Sequence, residues 1–148
     1  MSWSTVPAVG TVLVATDSDS VFAQVDAALG SASTDVERVR EGRALRDTVA
    51  ELAPELVLVD LQIGSMGGFA ATLDLRLEEG AGRLDPSPII LLLDREADEF
   101  LARRSGADLW LVKPFDALAL RTAATAVVQG SPAPPDAGSG AEQLVAER

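Results

Sequence analysis

Leu56-Val57-Leu58-Val59-Asp60 is the run from which the rest of the chain can be read. Four apolar residues, two of them β-branched, predict a strand buried on both faces. An aspartate stands where that strand ends. Leu61-Gln62-Ile63-Gly64-Ser65-Met66-Gly67-Gly68 follows directly, and its three glycines allow the backbone to bend tightly. In open α/β sheets ligands gather outside the carboxyl ends of the strands. Asp60 is thereby placed as a nucleophile or a metal ligand.

Working outward, Val12 to Ala15 predicts a second buried strand, ending in Thr16-Asp17-Ser18-Asp19. Val21, Phe22, Val25, Ala28 and Leu29 recur at helical spacing before Gly30. Thr34 to Val39 carries a weak strand pattern. Leu45, Val49 and Leu52 mark a helix that Pro54 closes. Beyond the glycines, a helix from near Phe69 carries Leu73 and Leu77 on one face and runs to Gly80. Ile89 to Leu93 predicts another strand, and a helix starting over Asp94 to Ala97 contains Phe100, Leu101 and Arg104 and stops at Gly106. Leu109 to Val112 predicts a strand, and Asp116 is placed to cap a helix through Val128. Five strands alternating with five helices predict an α/β, doubly wound parallel sheet with right-handed crossovers. The domain is expected over 11–129, between an N-terminal tail at 1–10 and a flexible C-terminal tail at 130–148. Pro, Gly, Ala and Ser dominate Ser131 to Gly140, and Ala141 to Arg148 is expected to be helical only against a partner.

Composition removes whole classes of chemistry. The sequence has no cysteine, so disulfides and thiolate chemistry are excluded. It has no histidine either, which removes the commonest general base and transition-metal ligand. A net charge of −11 argues against nucleic acid or an anionic membrane as partner. Met1 to Gly10 has no signal-peptide pattern, and the longest strongly apolar run, Ile89 to Leu93, is too short to span a bilayer. A soluble, cytoplasmic protein is expected.

The strand-end residues expected to converge are Asp17, Asp60 and Lys113. Two carboxylates brought together repel unless a cation sits between them. Mg²⁺ suits such a site, because it is held by few carboxylates and completed by phosphate oxygens. A lysine at the same rim would neutralise a phosphoryl group. Together these predict phosphoryl transfer to an aspartate.

With those residues in place, the chain resembles a receiver domain of the two-component response-regulator family, as an atypical member. The resemblance spans roughly Thr11 to Val128. It rests on Val12 to Asp17, Leu56 to Gly68, Pro88 to Leu93, and Gly106-Ala107-Asp108 leading into Leu111-Val112-Lys113-Pro114-Phe115. It implies a flavodoxin-like sheet of order 2-1-3-4-5 and a cis Lys113–Pro114 bond. It further implies Asp60 as phosphoacceptor, Lys113 as phosphate partner, and Mg²⁺ held by Asp17, Asp60 and the backbone carbonyl of Gln62. The implied partners are a sensor histidine kinase or other phosphodonor and an output protein; a homodimer is left open.

This sequence departs from the family pattern at several positions. The usual acidic pair after the first strand is Thr16 and Asp17. The usual hydroxyl residue ending the fourth strand is Leu93, and the small residue after it is Asp94. The usual proline and aspartate of the loop after the acceptor are Gly64 and Gly67. A hydrogen bond to a charged phosphoryl group contributes about 1.5–3 kcal/mol. A full two-state switch needs about 5.5 kcal/mol. Leu93 therefore removes a large share of the switching energy. Trp110 stands where the family carries a swinging aromatic; with Leu93 filling its path, the ring is expected to stay outward. There it would anchor a partner on the face formed by the fourth helix, fifth strand and fifth helix. No output domain follows Val128, so output through protein contacts is expected. The first alternative is a pseudo-receiver, a binding module independent of phosphate. The second is an enzyme: Asp17-Ser18-Asp19-Ser20-Val21 matches the opening of haloacid-dehalogenase-type phosphatases, with Asp17 as nucleophile and Asp19 as general acid. That family also needs a hydroxyl residue where Leu93 stands and an acidic pair after the lysine. The expectation is a signalling domain rather than an enzyme.

Overall fold

The computed structural model describes residues 10–130. Nearly all of both expected tails, and the helix expected over Ala141 to Arg148, lie outside the described residues. Five strands are found: β1 Thr11–Ala15, β2 Asp35–Val39, β3 Leu56–Asp60, β4 Ile89–Leu93 and β5 Leu109–Val112. They alternate with α1 Asp19–Leu29, α2 Leu45–Leu52, α3 Gly68–Gly80, α4 Glu99–Ser105 and α5 Ala117–Val128. All neighbouring pairs are parallel, in the order β2-β1-β3-β4-β5. This is the expected flavodoxin-like, doubly wound sheet.

The apolar runs at β3 and β4 form strands because both faces of the sheet are covered. Successive side chains point to opposite faces. Leu13, Val57, Val59, Ile89, Leu91 and Leu93 therefore join Leu45, Val49, Ala71, Leu75 and Ala102 in the layer under α2, α3 and α4. Val12, Val14, Leu56, Leu58, Ile90 and Leu92 join Val21, Val25, Leu120 and Ala123 under α1 and α5. β2 lies at the sheet edge, with an exposed and half-buried alternation that explains its weak sequence pattern.

Ser18 and Asp116 cap α1 and α5 by accepting from the Val21 and Ala119 amides, and Gly106 ends α4 at φ 89°. The block Gly106-Ala107-Asp108 has a structural cause as well. Asp108 accepts from the Ile89 amide at 2.8 Å and from Arg76 at 2.9 Å, and the Gly106 carbonyl accepts from Arg76 at 2.8 Å. One arginine of α3 thus ties the starts of β4 and β5 together.

Three expectations change. The residues expected to open α4, Asp94 to Ala97, instead bend away after β4 and enter a 3-10 turn at Glu96–Asp98. The inner face of α3 is Gly68, Ala71, Thr72 and Leu75, so the Leu73–Leu77 stripe lies outside it and Leu77 is 70% exposed. Trp110, expected to face outward, is only 9% exposed. It aligns with Leu91 across the β4–β5 pair and joins Leu93 and Ala102 in the layer beneath α4. Strand alternation turns the ring inward, small Ala102 leaves room for it, and the Arg103 guanidinium covers it 5.6 Å from the centroid. A tryptophan placed there is no surface anchor. The large exposed apolar residues of α4 and α5 are Phe100 and Leu118.

Candidate functional site

β3 delivers Asp60 to the carboxyl end of the sheet, where it is 2% exposed. A buried carboxylate needs partners, and three donors serve this one. Lys113 Nζ donates to Oδ1 at 2.7 Å, the Gln62 amide donates to Oδ1 at 3.1 Å, and Thr16 Oγ1 donates to Oδ2 at 2.7 Å. Lys113 directly follows β5, and its bond to Pro114 is cis, as the resemblance implies. Its amide donates to the Leu93 carbonyl at 2.7 Å, which sets the ends of β4 and β5 side by side.

The glycines after Asp60 have separate uses. A side chain on Gly68 would meet the Asp60 carbonyl oxygen at 2.5 Å and Leu61 Cα at 2.6 Å. The first turn of α3 therefore lies directly on the backbone that carries Asp60. The Gly64 amide donates to Asp17 Oδ2 at 3.0 Å, and a Cβ there would stand 3.1 Å from the same oxygen. Asp17 and Asp60 are thus both hydrogen-bonded to amides of one short turn, residues 62–64.

Two positions that depart from the family pattern line the site. Thr16, fully buried, stands where a second carboxylate would sit and bonds Asp60 directly. Its own carbonyl accepts from Arg38 Nε at 3.0 Å, a contact to which no sequence pattern points. Asp94 closes the rim, its Oδ1 lying 2.9 Å from Lys113 Nζ. Burial pulls the Lys113 ammonium down, but its hydrogen bonds to Asp60 and Asp94 outweigh this and hold its pKa above the ordinary lysine value. Leu93 is fully buried and offers the site no hydroxyl.

The phosphatase alternative does not fit these positions. Asp19 is exposed and paired with Arg38 at 2.9 Å and Arg40 at 3.4 Å. The Arg38 hydrogen bond and charge, with Arg40 beside it, hold the Asp19 carboxyl below its usual range. Such a group is a poor proton donor at neutral pH. The lysine, moreover, bonds Asp60 and not Asp17.

As a test of Mg²⁺, no group of three or more acidic, histidine or cysteine side chains among the described residues could hold a metal. What the turn presents is two carboxylates, Asp17 and Asp60. That sparse oxygen set fits Mg²⁺, which keeps several waters and takes one or two carboxylates with phosphate. No helix among the described residues is long and apolar enough to cross a membrane.

Comparison with known proteins gives one consistent answer. Residues 12–125 match the family described as the response regulator receiver domain. The DNA-binding dual master transcriptional regulator RpaA of Synechocystis is 30% identical over 107 residues, covering 71% of this chain and 43% of that protein. The DNA-binding response regulator MtrA of Mycobacterium tuberculosis is 31% identical over 106 residues, covering 70% of this chain and 44% of the relative. The chain therefore spans less than half the length of these relatives. Among solved structures, the chemotaxis response regulator CheY4 of Vibrio cholerae aligns with TM-score 0.70 at 26% identity, covering 80% of this chain and 98% of that one.

Proposed function

Since this chain belongs to the response-regulator receiver family, we propose that it takes part in phosphorelay signalling by accepting a phosphoryl group on Asp60. The donor is a sensor histidine kinase or another phosphodonor, and the output passes to a partner protein. The observation that carries this reading is the 2.7 Å bond from Lys113 Nζ to the buried Asp60 carboxylate. In this reading the ammonium lies beside the carboxylate that attacks phosphorus. The carboxylate displaces the donor's leaving group and becomes an acyl phosphate, while Lys113 offsets the charge that the phosphoryl oxygens bring. Asp17, Asp60 and the Gln62 carbonyl would hold Mg²⁺, which supplies further charge neutralisation at the phosphoryl group. Borohydride reduces an acyl phosphate to the alcohol. Peptide mapping after reduction should therefore find homoserine at position 60; homoserine elsewhere would overturn the assignment.

A second reading, a phosphate-independent binding module, is favoured by Thr16 and Asp94. Both Asp60 and Lys113 have their partners before any phosphate arrives. Substitution at Thr16 separates the two readings. In Thr16→Asp a second carboxylate enters the buried place beside Asp60. Mg²⁺ affinity should rise about tenfold or more, because ligand charge count controls affinity for hard cations. The metal-free variant should lose about 2 kcal/mol of stability, from a lost charge-assisted hydrogen bond and a new like-charge pair. Calorimetric titration and urea unfolding, with and without Mg²⁺, check both numbers. Unchanged Mg²⁺ affinity would favour the binding module.

A further inference from the structure

Asp94 is the acidic group at the rim that the proposed chemistry does not use. It follows Leu93, whose carbonyl accepts from the Lys113 amide, so the strand ends place Asp94 beside Lys113. Its Oδ1 lies 2.9 Å from Lys113 Nζ, and its side chain is 37% exposed where that of Asp60 is 3% exposed. The ammonium is held between an inner carboxylate and an outer one. Arg95, the next residue, gives its hydrogen bonds to Asp98.

We propose that Asp94 is an internal competitor for Lys113: its carboxylate occupies the solvent side of the ammonium, where a phosphate must bind, and a phosphodonor has to displace it. The proposal rests on the reading of Lys113 as the phosphate partner of Asp60. Asp60 and Asp94 share one ammonium, so the rim is anionic before a donor arrives. An ammonium has three N–H donors, and two are engaged by Asp60 and Asp94. An anion reaching the third sits against the Asp94 carboxylate and meets a like charge. Asp94 is thus a positioning residue that sets how much donor is needed, and it disfavours small, strongly anionic donors.

Lys113 is the only lysine in the 148-residue sequence. With lysine labelled by carbon-13 at Cε, one side-chain NMR signal reports this site alone. Inorganic phosphate, titrated against that signal in the unmodified protein, should bind at least about tenfold more tightly to Asp94→Asn and Asp94→Ala than to wild type. That is a conservative expectation for removing one like charge at a protein surface. A second arm measures loading from phosphoramidate with Mg²⁺ by intact mass. There an Asp60 oxygen forms the new bond to phosphorus, the P–N bond breaks, and ammonia leaves with the protons the nitrogen already carries. The variants should reach half-maximal rate at about tenfold less donor, with a plateau changed much less. Equal phosphate affinity in wild type and both variants overturns the proposal, and so does faster loading without tighter phosphate binding. Tighter phosphate binding with no covalent loading of any protein upholds the competition and overturns the reading of Asp60 as acceptor.

Discussion

Gly68→Ala is expected to cost about 3 kcal/mol of folding free energy, the upper end of the usual range for overpacking. An alanine Cβ at this position meets backbone on two sides, the Asp60 carbonyl oxygen at 2.5 Å and Leu61 Cα at 2.6 Å. Neither is the far end of a flexible side chain that can swing away. Either α3 lifts from the sheet or the end of β3 moves, and both displace Asp60 from Thr16 and Lys113. Urea unfolding should show the lower midpoint, and phosphodonor loading should slow in the fraction that still folds. Gly80 supplies the control, since nothing lies within 4 Å of a Cβ there and it closes the same helix. Gly80→Ala should leave stability unchanged or raise it by up to about 1 kcal/mol, the helix-propensity difference. Equal effects at the two positions would show that close approach at Gly68 is not the cause.

Lys113→Met is the second change with a large effect, and its signature is in the pH dependence. The folded protein holds the Lys113 ammonium above its ordinary pKa of 10.5, because two carboxylate hydrogen bonds outweigh its burial. A group with a raised folded pKa binds its proton more tightly in the folded state. Its contribution is complete below the unfolded value and is lost as pH climbs through the folded one. Wild-type stability should therefore fall above pH 10.5, by at most about 1.4 kcal/mol per pH unit for a single proton. The window is unusually clean. The sequence contains no tyrosine, no cysteine and no second lysine, and arginine stays protonated. Lys113→Met should lack the alkaline fall and be less stable at neutral pH by about 2 kcal/mol. That is below the full penalty of a stranded buried charge, because Thr16 and the Gln62 amide still serve Asp60. Parallel pH profiles in both proteins would contradict the account of the pair.

The residues that could be read from sequence are those whose local pattern and tertiary role agree. β4 throughout and β3 up to Asp60 are apolar because a covered parallel sheet demands it, and Asp116 and Ser18 sit where helix starts need acceptors. The convergence of Asp60 and Lys113 was legible because both stand at the carboxyl ends of parallel strands. Other features depend on what lies across space. Trp110 turns into the layer that also holds Ala102 of α4, a packing partner to which no local pattern around the tryptophan points. The pairing of Asp94 with Lys113 joins residues that follow different strands. Thr16 was visible as a departure from an acidic pair, but its bond to Asp60 follows only from the alignment of β1 and β3. The Leu73 and Leu77 stripe misled because helical spacing alone does not say which side of a helix meets the sheet.

The central claim is that Asp60 is the acceptor, held ready by Lys113 and Thr16. Intact mass before and after phosphoramidate with Mg²⁺ tests it most directly, with Asp60→Asn measured alongside. The account predicts a single added phosphate on the wild-type chain and none on Asp60→Asn. A phosphate that persists in Asp60→Asn would contradict it.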